Sequence, residues 1–384
     1  MNEEEKDDNI IQSMYGETPD IEMPDLIVPP PASSVNTDFI EDEVDAAFKY
    51  AFIGVGQGGS RIAETFHKIG YRRIAVLNTA QQDLNTINLE NKLCFGEGGA
   101  GKNPEKAANL FKDNREDITD FLRRSLGDGY DRIFVCAGAG GGTGAGSVCP
   151  MTILAHEIQA ALNSGHKKVG VILALPKASE GKKVNANAFN ILNSVYGLVE
   201  KQIVGPLIII DNEKIAKLYP DLPVSKFWQT ANHSVAGLFH LFNHTATKDS
   251  TYSAFDANDY RGVLDSGLIV FGASPVPDWK DNIAVARAVR DNLSNNLLSG
   301  GVDLRSGHVA AVVVIGGTEQ LNTIPQSSLD QAFDQVSRML KKGNTVHRGI
   351  YSGDKPGLTV FTAVGGLGRP IEKLQELSRL GDIA

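Results

Sequence analysis

Residues 138–146 read GAGGGTGAG, with six glycines in nine positions, directly after an apolar run at 133–137 and directly before a helix-length segment at 148–162. A tight turn against a neighbouring helix needs one or two glycines. Six let several backbone N–H groups converge on an anion without interference from Cβ atoms, and the helix N-terminus that follows adds positive potential. Thr143 adds a hydroxyl for a phosphate oxygen or a metal ion. The strand, loop and helix together predict a phosphate cradle formed by Gly138, Gly140, Gly141, Gly142, Thr143 and Gly144.

The surrounding chain supplies the frame for such a loop. Short apolar runs at 50–53, 74–77, 93–95, 133–137, 169–175 and 207–210 alternate with helix-length segments, the pattern of βαβ units and a parallel sheet. Gly or Pro follows each run except the last within a few residues, which places the loops at the carboxyl ends of the strands, where open parallel sheets bind ligands. Between 225 and 244, Phe227, Ala231, Val235, Leu238 and Phe242 recur at spacings of three and four, predicting a long buried helix. Beyond it, strands are expected at 268–271, 309–315, 346–351 and 358–364, with helices at 283–298 and 329–340. The expected fold class is α/β: a Rossmann-like parallel-sheet domain at 48–224, a long central helix at 225–246, a second α/β domain with a mixed sheet at 247–367, and a C-terminal tail at 368–384.

The formal charge of -9 is unevenly distributed. Residues 1–48 carry 14 acidic side chains against one lysine, leaving 36 basic and 32 acidic residues for the remainder. The first 47 residues, interrupted by Pro24 and by Pro29, Pro30 and Pro31, read as a disordered acidic tail, with a short helix around 39–48 leading into the first strand. Such a tail reads as an inert solvated extension, with docking of a basic partner or regulation of assembly through charge repulsion as the alternatives. The near-neutral remainder gives no basic surface for nucleic acid, and no apolar stretch is long enough to span a membrane. Three cysteines without metal-ligand spacing and an acidic N-terminus fit a cytoplasmic setting.

Two further glycine motifs flank the same sheet edge. GVGQGGS at 54–60 follows the first strand and satisfies G-x-G-x-x-G through Gly54, Gly56 and Gly59. Alone it would suggest an NAD-dependent oxidoreductase, but the second strand ends in Asn78 where a ribose-binding acid is expected, and such an enzyme has no use for a second, denser phosphate loop. GEGGAGKN at 96–103 nearly spells a Walker A loop, with Asn103 in place of the metal-binding hydroxyl and with Lys102 correspondingly less supported in the P-loop role. Three glycine loops after strands one, three and four can together enclose a triphosphate.

With these motifs in order, the chain resembles the tubulin and FtsZ GTPase superfamily, whose signature GGGTG(S/T)G stands here at 140–146 with Ala145 in the variable position. The resemblance covers roughly residues 48–365 and also rests on GAGKNP at 99–104, SEGKK at 179–183, IIIDNE at 208–213, ANHSVAG at 231–237 and FDANDY at 255–260. It implies GTP or GDP with Mg²⁺ as ligands and head-to-tail self-assembly into filaments. Carried over residue by residue, Gln57, Gly58, Gly59, Ser60 and Arg61 would line the α- and β-phosphates and sugar. Gly99, Ala100, Gly101 and Asn103 belong to the loop that would wrap the γ-phosphate, and 140–144 would cradle the β- and γ-phosphates. Glu180 resembles the ribose-binding acid, and Asn212 and Asn232 the two amides that hydrogen-bond guanine. Trp228 would stack on the base, with Phe227 as the other candidate. Asp256 and Asp259 resemble the catalytic acids that enter the pocket of the next subunit and polarise the attacking water; Asp256 would serve equally as the N-cap of a helix beginning near Ala257.

Three positions depart from the FtsZ pattern. Ala80 stands where an acid follows Asn-Thr, so Mg²⁺ would be held near Gln57, Asp83 or Thr143. Val184 replaces a basic residue, with Lys182 and Lys183 as neighbours, and Ala254 replaces the Asn that opens the catalytic loop. These departures keep open a protein that binds GTP as a scaffold without hydrolysing it. The wording GQGGS and IDNE leans towards tubulin, while length and NTA are similar to the archaeal CetZ and phage or plasmid TubZ branches.

Overall fold

The computed structural model describes residues 44–162, 166–340, 345–353 and 356–383. Its first part runs β1 (Tyr50–Val55), α1 (Gly56–Ile69), β2 (Arg73–Asn78), α2 (Gln81–Asn85), β3 (Lys92–Cys94), α3 (Pro104–Asp113), α4 (Arg115–Leu126), β4 (Arg132–Gly138), α5 (Thr143–Ala161), β5 (Val169–Leu175), α6 (Lys182–Glu200), β6 (Val204–Asp211) and α7 (Asn212–Leu218). The long helix α8 (Val224–Thr245) and α9 (Ala257–Leu264) follow. The remainder is β7 (Leu268–Pro275), α10 (Ala284–Asn295), β8 (Val309–Gly316), α11 (Thr318–Thr323), α12 (Gln326–Met339), β9 (Thr345–Ser352), β10 (Leu358–Leu367) and α13 (Ile371–Gly381).

All these strands join one ten-stranded sheet in the order β3-β2-β1-β4-β5-β6-β7-β10-β8-β9. The first six are parallel in the doubly wound order, and the chain reverses direction across the sheet between β1 and β4, where a crevice opens at the strands' carboxyl ends. β10 pairs antiparallel with β7 and β8, making the second half mixed as expected. The two halves are not separate sheets: Leu207 and Ile208 of β6 pair with Leu268 and Ile269 of β7.

Alternation along the strands divides the core between the two faces. Ala51, Ile53 and Val55 of β1 face one apolar cluster, with Met151 and Leu154 of α5 and Leu192 and Val195 of α6. Tyr50 and Phe52 face the other, where Phe66 of α1 stacks on Phe52 at 4.0 Å and Phe239 of α8 meets Phe134 edge-on at 5.1 Å. Each fully buried phenylalanine contributes about 1.5–3 kcal/mol, so α8 is held by packing along its length.

Two expectations at the ends of the chain need revision. Most of the acidic tail, and the first part of the helix expected around 39–48, lie outside the described residues; from 44 to 48 no helix forms. Its backbone is held by α8 instead: Ala47 N–H donates to Asn243 O at 3.0 Å, and Asn243 Oδ1 and Nδ2 bond Phe48 N and O at 3.0 and 2.9 Å. At the other end the expected tail contains the packed helix α13, which buries Lys373, Leu374 and Leu377; Gly381 lies so close to α6 that a Cβ there would stand 2.8 Å from the Ala186 backbone.

Candidate functional site

A cavity of about 490 Å³ opens at the carboxyl ends of β1, β2, β4, β5 and β6, at the point where the strand order reverses. Its size is that of a small-ligand site. The three glycine loops meet there. Gly56 has φ +70°, and a Cβ on it would stand 2.8 Å from Gly144 N, which brings the loop after β1 against the loop after β4. A Cβ on Gly142 would stand 2.8 Å from Ala100 Cβ and 3.0 Å from the amide nitrogens of Lys102 and Asn103, which brings in the loop after β3. Glycine at these two positions is therefore a packing requirement between loops. Helix α5 begins at Thr143 with its N-terminus at the cavity, so its free N–H groups face any anion bound there.

Most residues expected at the site line this one cavity: Gln57, Gly58 and Arg61 from the first loop, Gly99, Ala100 and Gly101 from the third, and Gly138, Gly140, Gly141, Gly142, Thr143 and Gly144 from the fourth. Glu180, Asn212, Trp228 and Asn232 complete it, with Asp83 at the other side. Three of the expected residues do not line it. Gly59 packs α1 onto β4, since a Cβ there would stand 2.1 Å from Cys136 O. Ser60, 1% exposed, lies beneath the loop. Asn103 caps α3, its Oδ1 accepting from Glu105 N at 3.1 Å and Lys106 N at 3.3 Å. Phe227, the second stacking candidate, is buried off the cavity, while Trp228 lines it.

The far end of the cavity carries two buried amides. Asn212 is 3% exposed and its Oδ1 has no hydrogen-bond partner among the described residues; Asn232 is 7% exposed. An acceptor buried without a partner costs about 1–3 kcal/mol, so it suits a ligand that donates hydrogen bonds. The flanking acids of the same motif serve structure. Asp211 Oδ1 accepts from Lys214 N at 3.2 Å and caps α7. Glu213 Oε2 accepts from Ala178 N at 3.1 Å; this bond, opposed by burial and aided by Lys217, lowers its pKa. It ties the base end to the turn Ala178–Glu180, where Glu180 Oε1 accepts from Lys177 N at 2.8 Å.

At the opposite end stands Asn78, which the sequence marks only as the end of a strand where a dehydrogenase would place an acid. It lines the cavity and donates from Nδ2 to Asp83 Oδ2 at 3.1 Å, orienting a carboxylate that lines the cavity together with Ala80. Thr143 Oγ1 lies 2.6 Å from Thr79 Oγ1. Among the described residues no group of three or more His, Cys, Asp or Glu is placed to hold a metal by itself.

Residues 49–220 match the Tubulin/FtsZ family, GTPase domain. This segment, the nucleotide-binding half of the chain, is similar to the GTPase domain of the tubulin/FtsZ superfamily. The chain is 27% identical over 249 residues to the tubulin-like protein TubZ of Bacillus cereus, covering 59% of this chain and 55% of that one, so it spans about half the length of that relative. It is 26% identical over 339 residues to the cell division protein FtsZ 1 of Thermococcus kodakarensis, covering 85% and 83% of the two chains. The fold is that of a GTPγS-form protofilament of Bacillus thuringiensis serovar israelensis TubZ, with a TM-score of 0.76 at 17% identity over 88% of this chain and 93% of that one. It is likewise that of GTPγS-bound CetZ2 from Haloferax volcanii, with a TM-score of 0.71 at 22% identity over 87% and 98%.

The superfamily's two candidate acids stand apart from the cavity of their own chain. Asp256 caps α9, its Oδ1 accepting from Asn258 N at 2.7 Å and Asp259 N at 2.9 Å, so the capping role is real. Asp259 Oδ2 accepts from Asp256 N at 3.3 Å, and its Oδ1 lies 2.7 Å from His347 Nδ1 on β9. Neither lines the cavity. Val184 is buried against Gly140, and Lys182 is engaged by Asp382 at 2.9 Å on the surface, so α6 brings no cation to the cavity lining. Among the described residues no helix is long and apolar enough to cross a membrane.

Proposed function

We propose that this protein is a GTP-binding and GTP-hydrolysing cytoskeletal protein that assembles head to tail, each site being completed by Asp256 and Asp259 of the adjacent subunit. One observation carries the reading: three glycine loops close a cavity whose far end holds the unpartnered Asn212 oxygen, while the two acids of the α9 loop lie outside it. The loops and the α5 N-terminus suit a triphosphate, and Asn212 and Asn232 suit guanine, which offers N–H donors to the Asn212 oxygen. Trp228 stacks on the base and Glu180 holds the ribose. The protofilament form of the TubZ and CetZ2 structures supports self-assembly of this chain.

Mg²⁺ bound with the nucleotide would neutralise charge on the phosphates; Asp83, Gln57 and the Thr143 hydroxyl are the donors at that end. The protein's own work is positioning. Loop N–H groups hold the phosphates, and a carboxylate from the next subunit orients water in line with the terminal phosphorus. In this reading residues 48–224 bind nucleotide, α8 connects, 247–367 carry the catalytic loop, the protein works in the cytoplasm, and the acidic N-terminal segment is a solvated extension or contacts a basic partner. Ala80 and the burial of Val184 favour a second reading, a scaffold that binds GTP without turnover.

Phosphate release measured over a range of protein concentrations tests the proposal. A rate per subunit that rises steeply with concentration, together with GTP-dependent sedimentation, is the expected result. Filaments without phosphate release would establish the scaffold, and no guanine-nucleotide binding at all would overturn both readings.

A further inference from the structure

Lys102 has a backbone conformation that its position does not explain. Its φ is +56°, in the left-handed region that penalises a residue with a Cβ. Among the described residues only two other non-glycine residues have positive φ, Gln202 just beyond α6 and Asp382 at the end of α13, and both sit where helix ends commonly turn left-handed. Lys102 instead precedes the N-cap of α3 and closes a loop in which Gly98, Gly99 and Gly101 have φ of +68°, +79° and +58°. A fourth glycine would fit without strain. A lysine kept in such a position, beside a binding cavity, points to a use for its ammonium.

Three observations show how the residue is held and where it sits. Asn187 of α6 does not line the cavity, yet its Nδ2 donates to Lys102 O at 3.3 Å, Gly140 O at 3.2 Å and Gly141 O at 3.4 Å. One amide thus pins the glycine loops after β3 and β4 together. Lys102 N lies against Gly142, the residue before the α5 N-terminus and at the end of the cavity away from Asn212. Lys102 and Arg61 are the two basic residues that line the cavity, and the Lys102 side chain is exposed and makes no ion pair with any carboxylate among the described residues. A lysine beside a helix N-terminus, left without a counter-ion, is a point-charge binder for a phosphate.

We infer that Lys102 is the cation that recognises the terminal phosphate of a bound nucleoside triphosphate and so sets the preference for triphosphate over diphosphate, with Asn187 as the positioning residue that holds its backbone. The inference rests on the nucleotide-binding reading above. It gives the cavity a cation from the third loop where α6 supplies Val184.

Fluorescence titration with mant-GTPγS and mant-GDP, below the protein concentration at which material sediments, tests it. Lys102→Ala should weaken GTPγS at least tenfold and leave GDP within twofold, and Lys102→Arg should restore most of the loss. Lys102→Gly relieves the backbone and removes the charge, so it should lose GTPγS affinity as Lys102→Ala does. Asn187→Ala, which also releases Gly140 and Gly141, should weaken both nucleotides and GTPγS several-fold more than GDP. Equal losses for both nucleotides, or normal GTPγS binding by Lys102→Gly, would overturn the assignment while the nucleotide reading stands. Wild-type protein that binds neither probe would overturn that reading, and this one with it.

Discussion

The Nζ of Lys373 lies 2.8 Å from Asp211 Oδ2, and the two side chains are 7% and 1% exposed. Glu376 Oε2 shares the ammonium at 2.7 Å. Burial disfavours the charge on Lys373, but the two carboxylates outweigh it and raise its pKa. Because Asp211 also caps the helix that begins at Asn212, one ion pair ties the C-terminal helix to the base end of the cavity. Removing one partner of a buried pair strands the other charge, at about 3–5 kcal/mol. Lys373→Ala is therefore expected to lower the urea midpoint by that equivalent and to weaken nucleotide binding. Lys373→Met combined with Asp211→Asn should recover most of the stability, since Asn still caps a helix. An unchanged midpoint in Lys373→Ala would show that α13 does not fold with the rest of the chain.

Asn212 makes the opposite prediction. Its Oδ1 has no partner within the described protein, so folding does not depend on it. Asn212→Ala should leave the melting temperature within a degree or two and weaken GTP by roughly 10–100-fold, the worth of one or two hydrogen bonds in a site built to receive them. A competition titration against ATP checks the cause, because the preference for GTP should shrink with the affinity.

Asp259 is best tested by mixing. Asp259→Asn keeps a side-chain acceptor for the Asp256 N–H and removes the charge, so the protein should bind GTP and release phosphate about 10²–10⁴-fold more slowly. Asn212→Ala keeps the α9 loop and damages only the pocket. If hydrolysis is completed by a neighbour, a mixture of the two variants should release phosphate faster than either alone. Activity that merely averages the two would place the acids elsewhere in the reaction.

Two histidines contribute to the response to acid. Burial, aided by Arg132, lowers the His166 pKa from 6.5 to about 4, and burial, aided by His244, does the same for His240. Both are neutral in the fold and protonate in the unfolded chain, so their contribution is complete above pH 6.5 and is lost as pH falls towards 4. The loss is on the order of 2 kcal/mol for each. Asp45, whose pKa is lowered by its hydrogen bond to Lys248, adds to it in the same direction at lower pH. Urea midpoints taken between pH 7 and 4 should fall, and His240→Asn should flatten the curve between pH 6 and 4.

Several elements are legible along the chain because their signal is local. The ten apolar runs become the ten strands, with ends shifted by up to four residues. The 3.6-residue spacing from Phe227 to Phe242 becomes α8. The helix α13 was harder to see: Leu374 and Leu377 are three apart in a short charged stretch, and nothing local shows that Lys373 is buried rather than solvated. Gly59 and Ser60 belong to a glycine motif, but the first turn of a helix has an inner side: Gly59 packs against β4 and Ser60 is buried.

From the sequence by itself come the doubly wound α/β half, the three glycine loops and the phosphate chemistry they imply, since strand period, glycine content and helix starts depend on neighbours along the chain. The tertiary structure decided what depends on residues far apart. It joined both halves in one sheet through β6 and β7, turned Asn212 into the cavity while Asp211 was taken by a lysine 162 positions later, and let Asn187 pin two loops that the sequence keeps well apart. The physical reason is common to all three. A buried polar group must find its partner wherever packing brings one, and packing is settled only when the whole sheet has formed.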